Sequence, residues 1–322
     1  MTYHIYGLRV RSDLPLPVAS VPDDGPVDLI VGDRGALLRP VDPRPRSMII
    51  DWRQAKNGWL LRFHTPADEM LEFTFNSDAS QLGIRCTIPE MTGDITALLV
   101  GAGLATALHL RGIPVLHASA VIADRKAILV AGPAGAGKST LTAALVTKGA
   151  PLLAEDLAVL TIGENDISVQ AGYPRLRLCP DATLVVERSA RDLPRVFGAF
   201  IPDDKRWVNA ADLAGGFRTT PAPLGAIYLL APRCADRSAA KIEPLPAHRA
   251  GLALLSHLYG TRWLRIPKAR ALEWCARIAG QVPVRILQAP PGLDRIGETA
   301  DAIVADFQSL SQEATKGTES GG

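Results

Sequence analysis

The stretch AILVAGPAGAGKSTLTAALVTK, Ala127 to Lys148, decides the fold. It opens on an apolar run of strand length and closes on helix-forming residues. Between them GPAGAGKST, Gly132 to Thr140, contains the pattern G-x-x-x-x-G-K-[ST] over Gly132 to Ser139. Phosphate oxygens are densely negative, and successive backbone N–H groups turn toward them only where no side chain crowds the turn. Gly132, Gly135 and Gly137 give that room, with Pro133, Ala134 and Ala136 as small intervening residues. A helix opening at Lys138 aims the positive end of its dipole at the same place. In such a loop Lys138 reaches the β- and γ-phosphates, Ser139 ligates Mg²⁺ and Thr140 completes the cradle. The expected ligand is Mg-ATP. A chance glycine-rich turn would not also have a strand before it and a helix after it.

Working outward, Gly149 stops the helix, and Pro151 to Ala154 read as a buried strand running into Glu155 and Asp156. Carboxylates at the end of a strand beside a phosphate loop hold Mg²⁺ or orient a nucleophile. An alcohol is a poor nucleophile, so a carboxylate that takes its proton assists transfer. The competing reading is a pair of solvated turn carboxylates. On the other side, Val115 to Ala123 is strand-like, and the turn ADRK joins it to the strand of the loop. His117 sits in the apolar VLHASAVI; taken alone, such a histidine is more often a hydrogen-bonded core residue than a catalytic one. His4, His64, His109, His248 and His257 have no motif around them.

Residues 1–90 alternate in short stretches. Tyr3–Val10, Ser47–Trp52, Trp59–His64 and Leu71–Asn76 read as half-buried strands between proline-rich loops such as VPDDGP and RPVDPRPRS. Thr92–Arg111 has helical apolar spacing, ended by Gly112 and Pro114. Further on, Ala226–Ala231 and Val282–Leu287 read as strands, and His248–Tyr259, Pro267–Ala279 and Leu293–Leu310 as helices. The expected organisation is a small β-rich domain over 1–90, an α/β catalytic domain over 91–310 and a polar, disordered tail over 311–322.

Composition excludes several classes. Of the 322 residues, 35 are basic and 33 acidic, which offers no charge excess to grip nucleic acid or an anionic membrane. Cys86, Cys179, Cys234 and Cys275 are scattered, with no zinc or disulfide pattern. The N-terminus lacks the apolar core of a signal peptide, and Ile95–Leu108 is short for a membrane span, so it reads as a buried helix. A cytoplasmic setting is expected; homo-oligomerisation is left open.

His117, the loop and Glu155-Asp156, in that order and spacing, resemble the catalytic domain of the HPr kinase/phosphorylase family. That family has a histidine ahead of the loop strand, a GxxGxGKS loop and an acidic pair after the next strand. The resemblance implies a fold akin to phosphoenolpyruvate carboxykinase rather than a doubly wound sheet. It also implies a kinase using ATP and Mg²⁺, with His117, Lys138, Glu155 and Asp156 as catalytic residues and Ser139 and Asp156 near the metal. Glu155 falls where the family has its usual base, an aspartate; Asp156 is the alternative base. The acidic, arginine- and glycine-rich signature tied to phosphorolysis is not visible, and the corresponding stretch reads GYPRLRLCPDA. The flanks YGLRVRSDLPLP, DDKRWV and PLGAIYLL resemble the branch found with lasso-peptide biosynthesis, which implies a precursor peptide phosphorylated at its C-terminal residue. Within DDKRWV, Lys205 and Arg206 read either as a phosphate-binding cap or as a solvated loop. With Arg175 and Arg177 they form a basic set that suits a terminal carboxylate or the γ-phosphate. The remaining alternatives are a carrier-protein serine kinase/phosphorylase and a nucleotide-dependent switch that transfers nothing.

Overall fold

The run Ala127–Ala131 forms the strand Lys126–Ala131, and it lacks polar alternation because both of its faces are covered. The computed structural model describes residues 1–32, 50–55, 57–64, 70–86, 92–197, 203–232, 238–261, 263–264 and 266–319. Ala127, Leu129 and Ala131 pack with Ala250 and Leu254 of helix Ala247–Leu255, and with Trp274, Cys275 and Ile278 of helix Lys268–Gln281. Ile128 and Val130 point the other way, to Leu141 and Leu145 of helix Lys138–Thr147 and to Ile303 and Phe307 of helix Ile296–Glu319. The period of two thus sorts one apolar run between two cores, giving a helix–sheet–helix sandwich.

The sheet in the middle is mixed. Lys126–Ala131 lies antiparallel to Ala118–Ala123 and parallel to Ala222–Leu230. Ala118–Ala123 also takes Leu152–Ala154 antiparallel on its far side. Val284–Gln288 then pairs parallel with Ala222–Leu230, and Lys241–Leu245 closes that edge antiparallel. The turn ADRK is a tight hairpin: Asp124 and Arg125 both have positive φ, as a two-residue turn matched to strand twist requires.

A second, eight-stranded sheet is built from the N-terminal region. Its order is Ser20–Val21, Thr2–Ile5, Leu8–Ser12, Leu29–Gly32, Gln81–Cys86, Met70–Asn76, Gly58–His64 and Ile50–Ala55. Here the expected single strand Tyr3–Val10 is two strands. Tyr6 and Gly7 both take positive φ and turn the chain back on itself. Gly7 favours such a turn, but the buried Tyr6 before it does not announce one, since its ring is used in packing. Residues 47–49, the loop RPVDPRPRS and Cys234 lie outside the described residues.

The expected helix Thr92–Arg111 forms as two α-helical pieces, Thr92–Leu98 and Leu104–Leu110, joined by a π-helical turn, Leu99–Gly103. Gly101 and Gly103 lie in that turn, where weak helix formers lower the penalty of an inserted residue. A Cβ on Gly103 would already touch Leu99, Phe73 and Leu82, so the helix lies close on the sheet there. By length and composition Gly93–Leu110 would serve as a membrane span, yet 78% of it is buried within the protein. The N-terminal sheet and this helix share one core that also takes in Val115, Leu157, Val159 and Tyr173.

Three further boundaries differ from expectation. The helix expected over His248–Tyr259 ends at Leu255. The strand expected over Val115–Ala123 breaks at His117 into Val115–Leu116 and Ala118–Ala123. The last helix continues to Glu319, so the described part of 311–322 is helical rather than disordered. The apolar face of this helix lies in its earlier turns, where Ile303 and Phe307 are buried.

His109 illustrates a cost of this packing. Its Nε2 lies 2.9 Å from the Tyr259 carbonyl and its ring stacks on Trp274. Burial pushes its pKa down to about 4, the carbonyl contact opposing only partly. The native state therefore keeps it neutral while the unfolded chain protonates near pH ~6.5. Stability from this group is full above pH ~6.5 and is expected to fall as pH drops toward 4, by about 1.4 kcal/mol per unit. Urea midpoints across that range should show the slope, and His109→Gln should reduce it by this share, leaving the contribution of His257, whose pKa burial also lowers to about 4.

Candidate active site

The loop Gly132–Gly137 bridges the strand Lys126–Ala131 and the helix Lys138–Thr147, as its motif requires. Gly135 and Gly137 have φ of 77° and 98°, a backbone that a side chain would strain. Gly132 is needed for a different reason: a Cβ there would stand 2.9 Å from Leu230 Cβ on the neighbouring strand. Lys138 Nζ donates to the carbonyls of Gly132 and Pro133 at 2.9 and 3.1 Å, so its ammonium is held at the loop. Burial lowers its pKa, while Asp156 and Glu155 pull the other way.

The next strand, Leu152–Ala154, delivers the acid pair beside that ammonium. Ser139 Oγ donates to Glu155 Oε1 at 2.8 Å. Asp156 adopts φ 66°, a left-handed conformation tolerated by aspartate more readily than by most residues. The two carboxylates differ in accessibility: the Glu155 side chain is 1% exposed and that of Asp156 22%. His117 Nε2 lies 3.1 Å from Asp156 Oδ1. His117 stands at the break between two strands, where its backbone N–H donates to the His257 carbonyl at 2.7 Å. His117, Lys138, Ser139, Glu155 and Asp156 therefore converge on one site.

Arg177 joins the two carboxylates. Its Nε donates to Glu155 Oε2 at 3.1 Å and its Nη2 pairs with Asp156 Oδ2. Burial raises the pKa of Glu155, with Arg177 opposing. Burial would also raise Asp156, but Arg177 and the His117 hydrogen bond outweigh it and hold Asp156 well below the usual carboxylate range. Two neighbouring acids are thus driven apart.

In the sequence Arg177 is legible only as one member of a basic set with Arg175, Lys205 and Arg206. The structure keeps the set together on and beside two paired strands, with the Lys205 charge also acting on Asp156 and Lys138, but gives its members different partners. Arg175 lies over the Trp207 ring at 5.6 Å. Lys205 pairs with Asp203 and Arg206 with Asp204. The alternation RLRL carries the missed signal: Leu176 and Leu178 are buried in the core, which turns Arg177 out of the opposite face of its strand, Arg175–Leu178. His257 carries no comparable signal in its sequence context. Burial, then the nearby charges of Lys138 and His117, push its pKa down to about 4.

Aromatic rings line the site behind these charges. Tyr6, from the N-terminal hairpin, meets Tyr173 edge-on, and its backbone N–H donates to the Ala171 carbonyl at 2.7 Å. Tyr259 meets His117 edge-on. The N-terminal hairpin therefore reaches the aromatic wall behind the acid pair.

Among the described residues no cluster of three His, Cys, Asp or Glu is arranged as a metal site. Mg²⁺ asks for less, since it takes one or two carboxylates together with phosphate oxygens and water. The Ser139 hydroxyl on Glu155 beside the loop fits that donor set.

No family model matches this chain, and no curated protein matches it. Among solved structures it is similar to the Hpr(Ser) kinase/phosphatase from Coxiella burnetii, at 12% identity and a TM-score of 0.36. That match covers 64% of this chain and 96% of the other.

Proposed function

We propose that this chain is an ATP-dependent kinase that phosphorylates a serine or threonine hydroxyl of a peptide. The observation that carries the reading is the division of labour in the acid pair. Ser139 touches Glu155 rather than Asp156, and the more accessible Asp156 is held by His117. This shifts the roles implied by the family resemblance: Glu155 joins Ser139 on the metal side and Asp156 is the base. Lys138 binds phosphate, with the backbone of Gly132–Thr140 around it.

Mg²⁺, when bound, would neutralise phosphate charge. The transfer itself forms a bond from the acceptor oxygen to the γ-phosphorus and breaks the bond from that phosphorus to the bridging oxygen. The bridging electron pair leaves with ADP, and the hydroxyl proton passes to Asp156. A carboxylate held below the usual range is ionised at neutral pH and so is ready to accept the proton as the new bond forms. His117 orients it.

For the acceptor we propose the C-terminal Ser or Thr of a ribosomally made precursor peptide, on the resemblance of YGLRVRSDLPLP, DDKRWV and PLGAIYLL to lasso-peptide kinases. The near-neutral chain leaves recognition to local contacts. Ile50–Ala55, the last strand of the N-terminal sheet among the described residues, offers main-chain groups to an extended peptide. Supply of ATP and of a newly made peptide makes the cytoplasm the proposed setting.

Mass spectrometry of precursor peptide incubated with enzyme, ATP and Mg²⁺ tests the reading. Phosphate on the C-terminal residue is the expected result. Phosphorylation of a folded carrier protein alone would overturn the acceptor, and nucleotide binding with no phosphorylated product would overturn the kinase.

A further inference from the structure

All four oxygens of the acid pair already have partners. Glu155 accepts from Ser139 and Arg177, and Asp156 is met by His117 and Arg177. Arg177 is itself largely buried, its side chain 11% exposed, so these charges meet with little water between them. Lys138 is engaged by loop carbonyls, and Lys205, whose charge also reaches Asp156, pairs with Asp203. Glu155, Asp156 and Arg177 together carry one net negative charge. A divalent ion added with Arg177 in place would leave one net positive charge in a buried site, and the oxygens it needs are engaged.

We propose that Arg177 is an exchangeable counter-cation, bridging Glu155 and Asp156 until Mg-nucleotide binds, then yielding Glu155 to the metal and turning its freed N–H groups to the transferring phosphoryl group. The inference rests on the kinase reading and deepens it. Removing a partner from a buried charge is costly unless another cation arrives, and the metal is that replacement. The nucleotide in turn brings the negative oxygens that receive the guanidinium, whose planar fork suits phosphate as well as carboxylate. The backbone need not move. Leu176 and Leu178 anchor the strand in the core, while the long Arg177 side chain alone changes partners. Among the described residues that strand pairs only with Arg206–Asn209, apart from both large sheets.

The test is calorimetric titration of Mg²⁺ into wild type, Arg177→Gln and Arg177→Lys, with and without ADP. Without the guanidinium to displace, metal affinity in the absence of nucleotide should rise about tenfold or more in Arg177→Gln, each tenfold matching one pK unit of lost competition. Arg177→Lys keeps the charge but loses the planar fork that matches both carboxylates, so its affinity should lie between. Turnover should nevertheless fall by roughly 10²- to 10³-fold in Arg177→Gln, because a charge on the transition state is gone. A folded Arg177→Gln protein with unchanged or weaker metal affinity overturns the exchange. If that variant does not fold, the wild-type Arg177 Nε–H resonance, identified by its loss in Arg177→Lys, decides. It should shift and lose exchange protection on adding Mg-ADP; an unmoved resonance overturns the exchange. Failure of wild type to bind ADP would instead overturn the kinase reading, so the two failures are distinct.

Discussion

Asp156→Asn is expected to lower kcat by roughly 10²- to 10⁴-fold, the usual worth of a general base. The amide keeps the shape of the carboxylate and can still meet His117, but it takes no proton. ADP affinity should change much less, because Lys138, Ser139 and the loop are untouched. Glu155→Gln should behave differently, raising the Mg²⁺ concentration needed for half-maximal rate. Steady-state kinetics over a Mg²⁺ series, with ADP binding measured alongside, separate the two. Full turnover in Asp156→Asn would return the base to Glu155, and full turnover in both variants would leave a nucleotide-binding protein without transfer chemistry. The accessible position of Asp156 and its contact with His117 are what make the first outcome the expected one.

Lys138→Ala should weaken nucleotide binding by about 10- to 100-fold, from the loss of a charge-assisted contact of roughly 1.5–3 kcal/mol. Turnover should fall further, since in a loose transition state negative charge builds on the bridging oxygen that leaves with ADP, where the Lys138 ammonium opposes it. The same substitution frees the carbonyls of Gly132 and Pro133, which Lys138 holds. Lys138→Met keeps the apolar stem while removing the same ammonium, so it separates packing from charge. Equal losses in both variants, read as ADP affinity and as rate, assign the effect to charge. Unchanged nucleotide affinity in both would refute the loop as the phosphate site.

Local physics makes much of this protein legible from its residues. The strand–loop–helix around Gly132 to Thr140 is readable because its glycines at 132, 135 and 137 follow an apolar strand and precede a helix-forming run. The alternation of Trp59–His64 and Leu71–Asn76 marks two strands, which form as Gly58–His64 and Met70–Asn76. Boundaries are less legible where a side chain has two uses. Tyr6 is a core residue by type and a turn residue by backbone, and the packing of its ring against Tyr173 accompanies its positive φ. The polar end of the last helix resembles a tail in sequence because it continues, to Glu319, a helix whose buried residues Ile303 and Phe307 lie before it.

Residue order alone was enough for the local elements: the loop, its strand and helix, and the acidic pair at the next strand's end. It also placed His117 in the right order along the chain. Which of those groups meet was set by the packing of the chain in three dimensions. Ser139 and Glu155, or His117 and Asp156, are brought together by pairing of Ala118–Ala123 with both Lys126–Ala131 and Leu152–Ala154. Arg177 arrives on a strand from outside that sheet, and Tyr6 from the N-terminal hairpin. The physical reason is that hydrogen-bond reach and desolvation depend on distance in space. A propensity or a motif is set by neighbours along the chain, whereas the pKa values of two adjacent carboxylates are driven apart by groups far away in it.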